Sequence, residues 1–232
     1  MKKVKSPYFT YPRALPETAA RARDEKLIQV LGGFPLFDWE FFWLVRPYLR
    51  SGELITVLDL AMGNGVFSRR MATQAAARKW PIHVSAVDFD RKTVDEAREL
   101  CRDHPKIELA FYPFFELERL PAGAFDFVIC AFALHLYPTK TAIALLQTAR
   151  RLARCGLLVL DFRRTRFLTF FAQGALSWLT RDPEYELRAA RTTQQAFSER
   201  EMKNLAFHAA IPDTSCKNRL FHQILASRRK TG

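Results

Sequence analysis

The chain has 232 residues, 49% hydrophobic and 26% charged, enough for one well-buried domain with room for a cap or an insertion. Cys101, Cys130, Cys155 and Cys216 form no CxxC pair and have no histidine at ligand spacing, which excludes a structural zinc module and fits a reduced intracellular protein. The formal net charge of +12 is uneven, with 20 Lys and Arg against 17 Asp and Glu up to residue 149, and 16 against 7 beyond. A basic last third could meet nucleic acid, an anionic membrane surface or an acidic substrate, or form a solvated face.

Residues 1–16 carry Pro7, Pro12 and Pro16 and read as a loose arm, basic but lacking the apolar core of a signal peptide. No stretch reaches the roughly 18–20 apolar residues that cross a bilayer, so a cytoplasmic protein is expected. Glu17–Leu31 is helical in pattern and GGFP, Gly32–Pro35, is expected to break it. The spacing of Phe41, Phe42 and Val45 predicts a further helix over Asp38–Leu49, with Asp38 as its N-cap. Its aromatic residues, Trp39 and Phe42 among them, could line an apolar pocket or simply pack over a sheet edge.

From Ile55 onward strands and helices alternate. Strands are predicted at Ile55–Leu60, Pro81–Val87, Lys106–Phe111, Ala124–Phe132 and Leu157–Asp161. Helices fall between them at Val66–Lys79, at Lys92–Arg102 after an N-terminal Asp90, and at Lys140–Cys155, where Gly156 is expected to stop the helix. This alternation implies a parallel sheet with right-handed crossovers. Beyond Asp161 come a basic segment with a helical core at Phe167–Leu179, a helix at Glu199–Ala210 and a last strand within Asn218–Ser227.

The stretch VLDLAMGNGVFS, Val57–Ser68, joins a buried strand to a helix through Gly63 and Gly65. Glycine there allows unusual dihedrals and close approach of a ligand to bare backbone. A strand, a glycine turn and a helix N-terminus form the nucleotide-cofactor corner of an α/β sheet. Asp88, at the end of the second strand, stands where an acid accepts hydrogen bonds from ribose hydroxyls. An acid inside the first strand, Asp59, would oppose a dinucleotide pyrophosphate and instead suits a cationic or amino-bearing ligand.

At this point VLDLAMGNG resembles the first motif of class I S-adenosylmethionine-dependent methyltransferases, VSAVDFDRKTVDEAR their second, and FELERLPAGAFDFVICAFALHLYP a later region. The resemblance spans residues 54–161 and the last strand. It implies a doubly wound, mostly parallel seven-stranded α/β sheet, with an N-terminal arm and helical cap over 1–53. The cofactor domain would be 54–232, with a helical lid inserted at 163–200. It implies S-adenosylmethionine as cofactor, held by Asp59, Ala61, Gly63, Gly65, Asp88, Phe89, Glu116, Leu117 and Ala131. Two departures stand out. Ala61 replaces the family's first motif glycine, which is harmless if its dihedrals are ordinary, and Glu116–Leu117 replaces the usual acid-then-small pair near the adenine.

Methyl transfer is an in-line displacement in which positioning and desolvation matter most, and a base is needed only when the acceptor must lose a proton. His135 is the candidate base, or else a histidine of the pocket wall. Tyr137, Trp39, Phe42, Phe167 and Phe171 are expected to contact the acceptor. The amino-methylating Asn/Asp-Pro-Pro-Tyr motif is absent, and AFALHLYP looks more like enzymes that methylate oxygen or carbon of small molecules. A phenol, quinone, polyketide or lipid acceptor is therefore expected. The alternatives are an RNA methyltransferase, suggested by the pI near 9.9, and a non-catalytic partner subunit. The arginine-rich lid also suits a membrane surface. Nothing in the sequence sets the oligomeric state.

Overall fold

The computed structural model describes residues 33–104, 106–165, 192–211 and 214–228. In chain order these form helix α1 (Gly33–Val45), strand β1 (Ile55–Leu60), α2 (Val66–Arg78), β2 (Ile82–Asp88), α3 (Arg91–Leu100) and β3 (Ile107–Phe111). Next come a short α4 (Phe114–Leu117), β4 (Phe125–Ala131), α5 (Thr139–Leu152) and β5 (Ala153–Phe162), then α6 (Glu199–His208), β6 (Thr214–Asn218) and β7 (His222–Arg228).

The seven strands make one sheet in the order β3-β2-β1-β4-β5-β7-β6. Strands β1 to β5 pair in parallel, whereas β7 runs antiparallel to both β5 and β6. This is the seven-stranded, mostly parallel sheet of class I methyltransferases. The order reverses between β1 and β4, and a doubly wound sheet opens its ligand crevice at the carboxyl ends beside that reversal.

Alternate residues of each strand feed two separate cores. Val57, Val84, Phe127, Ile129 and Leu158 face α1, α2 and α3, where Phe37, Phe41, Phe67 and Met71 are buried. Leu58, Val128, Cys130, Leu157 and Val159 face α5 and α6, where Leu145, Leu146, Met202 and Leu205 are buried. Burial on both faces is why the strands read as near-continuous apolar runs. At their amino ends Asp126 clips β4 to its neighbours, accepting from the Thr56 amide at 2.9 Å and pairing with Arg154.

Three local expectations need correction. The helix expected from Asp38 begins earlier, at Gly33, with Pro35 in its first turn, where a missing N–H costs nothing, while the helix Glu17–Leu31 that GGFP was expected to end lies outside the described residues. Asp38 is consequently mid-helix, not an N-cap, and its carboxylate receives both Nε and a terminal nitrogen of Arg70. Gly156 does not end α5 either. It lies inside β5, which follows α5 without a connecting residue. The predicted helix Phe167–Leu179 lies outside the described residues, as do Phe167 and Phe171. The described ends of that segment meet, with Arg163 bridging to Phe197.

Gly156 is needed for close approach rather than for a turn. A Cβ there would stand 3.1 Å from Leu44 Cδ1, 3.1 Å from the Ser227 carbonyl oxygen and 3.3 Å from Phe127 Cδ1. Its bare backbone lets α1 sit down on the sheet. Gly156→Ala should therefore destabilise the fold by about 1–3 kcal/mol, the range for overpacking a filled core. Denaturant unfolding checks this, and an unchanged midpoint would show that α1 yields without cost.

Candidate active site

The loop from β1 to α2 is a run of left-handed residues: Ala61 at φ 58°, Gly63 at 59° and Gly65 at 76°. Ala61 thus lacks the ordinary dihedrals that would make its replacement of glycine harmless, and a Cβ in that region costs roughly 1–2 kcal/mol. The two glycines have different tasks. A Cβ on Gly63 would meet nothing within 4 Å, so this residue borders open space at the corner. A Cβ on Gly65 would stand 2.9 Å from Cys101 Sγ, so this residue lets α2 pack against α3. Burial pushes the Cys101 thiol up to about 11, which suits a packing group rather than a nucleophile.

Three carboxylates are buried at the carboxyl ends of β1, β2 and β5. Asp88 accepts from the Gly63 amide at 3.0 Å and the Asp90 amide at 3.1 Å, so it ties the glycine loop to the end of β2. Asp59, 1% exposed, accepts from Ser68 Oγ at 2.5 Å. Burial raises its pKa to about 7, with the Ser68 hydrogen bond opposing the shift and the nearby Asp88 charge adding to it.

Asp161 makes the densest set of contacts. It accepts from the His135 amide at 2.9 Å, the Phe162 amide at 2.8 Å and His135 Nδ1 at 2.6 Å. In a neutral imidazole this places the ring proton on Nδ1 and leaves Nε2 as an acceptor. That nitrogen has no hydrogen bond among the described residues. His135 follows β4 in a single 3₁₀ turn, Leu134–Leu136, and its ring meets Phe162 edge-on at 5.4 Å.

Aromatic rings surround this pair. Phe132 holds a left-handed φ of 54°, unusual for a bulky residue, and its amide donates to the Leu160 carbonyl at 2.6 Å. Its ring stacks on Phe67 at 5.4 Å and tilts against Phe162 at 4.8 Å. Phe67 in turn meets Phe34 and Phe37 from the first turns of α1. A second histidine, His222, stacks on Phe162 at 5.8 Å. Burial drives its pKa down to about 4 against the opposing charge of Asp161, and its Nε2 is buried without a hydrogen bond. The neighbouring Gln223 amide donates to the carbonyls of Phe162 and Phe197 and so fastens β5 to the returning chain.

Sequence reasoning singled out His135 but not Asp161, Phe132, Phe162 or His222. A signal for Asp161 was present, because three of the strands close on apolar–Asp–apolar, at Leu58–Leu60, Val87–Phe89 and Leu160–Phe162. Of the other candidates, Phe89 lies at the end of β2 with its ring edge-on to Phe114 at 5.7 Å. Ala131 ends β4 and is half-buried, as is Glu116 in α4. Leu117 is fully buried in the α5-side core, and Arg151 holds its carbonyl, so its side chain serves packing. Tyr137 is buried just past the 3₁₀ turn. Trp39 and Phe42 are not brought to this end of the sheet. Phe42 stacks on Trp80 at 5.8 Å, next to the amino end of β2, and Trp39 is 56% exposed.

The geometry is that of a cofactor corner with a histidine–carboxylate pair beside it, and known proteins share the fold that carries it. Residues 57–156 match the family model described as a methyltransferase domain. Among solved structures, the chain resembles magnesium protoporphyrin IX methyltransferase from Synechocystis PCC 6803 with bound SAH, at 21% identity and TM-score 0.58, covering 95% of this chain and 91% of that one. It also resembles a SAM-dependent methyltransferase from Aquifex aeolicus, at 17% identity and TM-score 0.52, covering 78% and 87%. An O-methyltransferase family protein from Burkholderia thailandensis matches at 19% identity and TM-score 0.56, covering 82% of this chain and 57% of that one. No curated protein matches. Over residues 57–156 the chain is thus similar to methyltransferase domains, and its fold is shared with S-adenosylmethionine-dependent methyltransferases.

The residues fit that cofactor. Gly63 leaves space beside bare backbone, and Asp59 and Asp88 supply buried negative charge for a sulfonium and for hydroxyl donors. Among the described residues no group of side chains could hold a metal ion, and no helix is long and apolar enough to cross a membrane.

Asp59 makes the pH dependence of binding specific. Its folded pKa, about 7, lies above the ordinary 3.8, so its contribution to stability is fully present below pH 4 and is lost as pH rises through 7. A bound cation favours the ionised form. Affinity for S-adenosylmethionine should thus rise about tenfold from pH 6 to pH 8, as the ionised fraction of such a group does. Calorimetry with Asp59→Asn should give a flat profile. A wild-type profile equally flat would show that the cofactor charge does not reach this carboxylate.

Proposed function

We propose that this protein transfers a methyl group from S-adenosylmethionine to an oxygen or carbon of a small, lipophilic acceptor of the phenol, quinone, polyketide or lipid type. The observation that carries the reading is His135, held by Asp161 with Nε2 unengaged among the described residues, beside aromatic rings at the carboxyl end of the sheet. The cofactor supplies an electrophilic methyl group on its sulfonium.

The chain's own residues do the rest. His135 Nε2 takes the proton of the acceptor hydroxyl or enolisable C–H as attack proceeds. Asp161 keeps the ring in the tautomer that can accept that proton, and its charge offsets the imidazolium that forms. Phe132, Phe162 and Phe67 keep water from the reacting atoms and offer apolar surface to the acceptor. His222, kept neutral by burial, adds no competing charge. In this reading Asp88 and the Gly63 loop hold the cofactor, residues 54–232 are the catalytic domain, and residues 1–53 and 163–200 are its cap and lid. The likeness to an enzyme named for magnesium protoporphyrin IX and to an O-methyltransferase family protein supports a small acceptor. A general base suits oxygen and carbon acceptors, which must lose a proton.

The test is methyl transfer from labelled S-adenosylmethionine to a panel of lipophilic phenols and 1,3-dicarbonyl compounds. One or more should be methylated. His135→Ala and Asp161→Asn should each lower kcat by about 10²–10⁴, the range for losing a positioned base, with SAH affinity unchanged. Methylation of RNA and of none of the panel, or full kcat in both variants, would overturn the reading.

A further inference from the structure

The rear half of α1 and the chain before β2 build a surface that the methyltransferase site does not use. Trp39 and Trp43, one turn apart, are 56% and 38% exposed, and their rings meet edge-on at 5.5 Å. Phe42 continues the row, 5.7 Å from Trp43 and 5.8 Å from Trp80. Exposed tryptophans in a contiguous row mark a binding surface, because water gains nothing from them.

Guanidinium groups lie over these rings. Arg46 stands 4.8 Å from the Trp43 ring centre and Arg78 stands 5.0 Å from that of Trp80, with Lys79 exposed beside it. The acids of α1 do not offset this charge. Asp38 is engaged by Arg70, and Glu40 is buried 3.7 Å from Lys217. Next to Trp80 the row opens into a groove of about 330 Å³ between α2 and β2, walled by Ala72, Ala75, Ile82 and Val84 and flanked by Lys79 and Lys106.

We propose that this face docks on an anionic lipid bilayer. Indole rings interleaved with arginine and lysine sit at the level of lipid headgroups, where the rings enter the acyl boundary and the cations meet phosphate. The groove flanked by Lys79 and Lys106 joins an apolar wall to two cations, which suits the glycerol–phosphate end of a lipid. Single-stranded nucleic acid fits less well. It stacks bases on free aromatic faces, and here Arg46 and Arg78 cover Trp43 and Trp80, while Phe42 and Trp80 face each other. The inference does not rest on the proposed acceptor, because the patch is at the opposite end of the strands from His135.

The experiment is sedimentation of the full chain with phosphatidylcholine vesicles, with and without phosphatidylglycerol, read together with tryptophan emission. Binding should need phosphatidylglycerol, weaken with salt and shift the emission to the blue. The double variant Trp39→Ala/Trp43→Ala should partition about tenfold more weakly, with SAH affinity unchanged as the check on folding. Should that variant not fold, Arg46→Glu/Arg78→Glu gives the same comparison through charge. Equal binding by wild type and variant, no binding by wild type, or displacement of wild type from vesicles by RNA through these same residues would overturn the proposal.

Discussion

A carboxylate buried at the end of a strand must be satisfied by whatever chain follows, and that requirement shapes this site. Asp161 meets it with the amides of His135 and Phe162 and the His135 ring, and Asp88 meets it with the amides of Gly63 and Asp90. A buried charge left unpaired would cost several kcal/mol. The loops after β1 and β4 are therefore not free to choose other paths. The same contacts that stabilise the fold fix the glycine corner and the imidazole, 26 residues before its carboxylate, in mutual register. Asp59 is the exception. Among the described residues its hydrogen-bond donor is Ser68, and burial raises its pKa to about 7, so near neutral pH it holds its proton part of the time.

Two of the four left-handed non-glycine residues among those described lie at the same edge, while Lys79 and Ala210 follow the ends of helices. Ala61 and Phe132 are both left-handed, and they lie just beyond β1 and β4, the two strands at the reversal of sheet order. Neither residue type favours this conformation. Phe132 is held by its amide bond to Leu160 and by rings on both sides. Its strained φ turns the chain sharply enough for the 3₁₀ turn to lay His135 over the end of β5. Strain that packing over-determines is a common property of reacting sites, and here it has an identifiable product, the placement of one ring.

The parallel core was legible because β1, β4 and β5 are buried on both faces and announce themselves as apolar runs, and because Asp90 caps α3 through its own side chain. The edge was not. β6, TSCKN, alternates between half-buried and exposed and has no apolar run, so nothing local marks it until β7 lies beside it. Gly156 misled for a different reason. Glycine after a helical pattern signals a stop only when the chain must turn, and here α5 passes directly into β5 while the glycine answers to Leu44, more than a hundred residues away in sequence. At the site, His135 could be found from its position after the fourth strand. Its partner could not be found by spacing, since the pairing depends on β4 and β5 being neighbours. Trp39 and Phe42 were legible as important aromatics but not as residues of the wrong end, which is decided by how far α1 runs along the sheet.

That last point separates the helix into two parts with different chemistry. The first turns of α1 send Phe34 and Phe37 to Phe67 and so close the wall around the site. Leu44 presses on Gly156 in the middle of the sheet. The last turns leave Trp43 and Arg46 outside, with the Trp43 carbonyl receiving Arg228 from β7. A displacement of α1 along its axis would therefore be felt at both ends at once, because the glycine contact midway leaves no slack to absorb it. Whatever binds the exposed aromatic end bears on the same rigid element that packs against Phe67. That surface and the rings around His135 thus share one helix, seated on one bare backbone position.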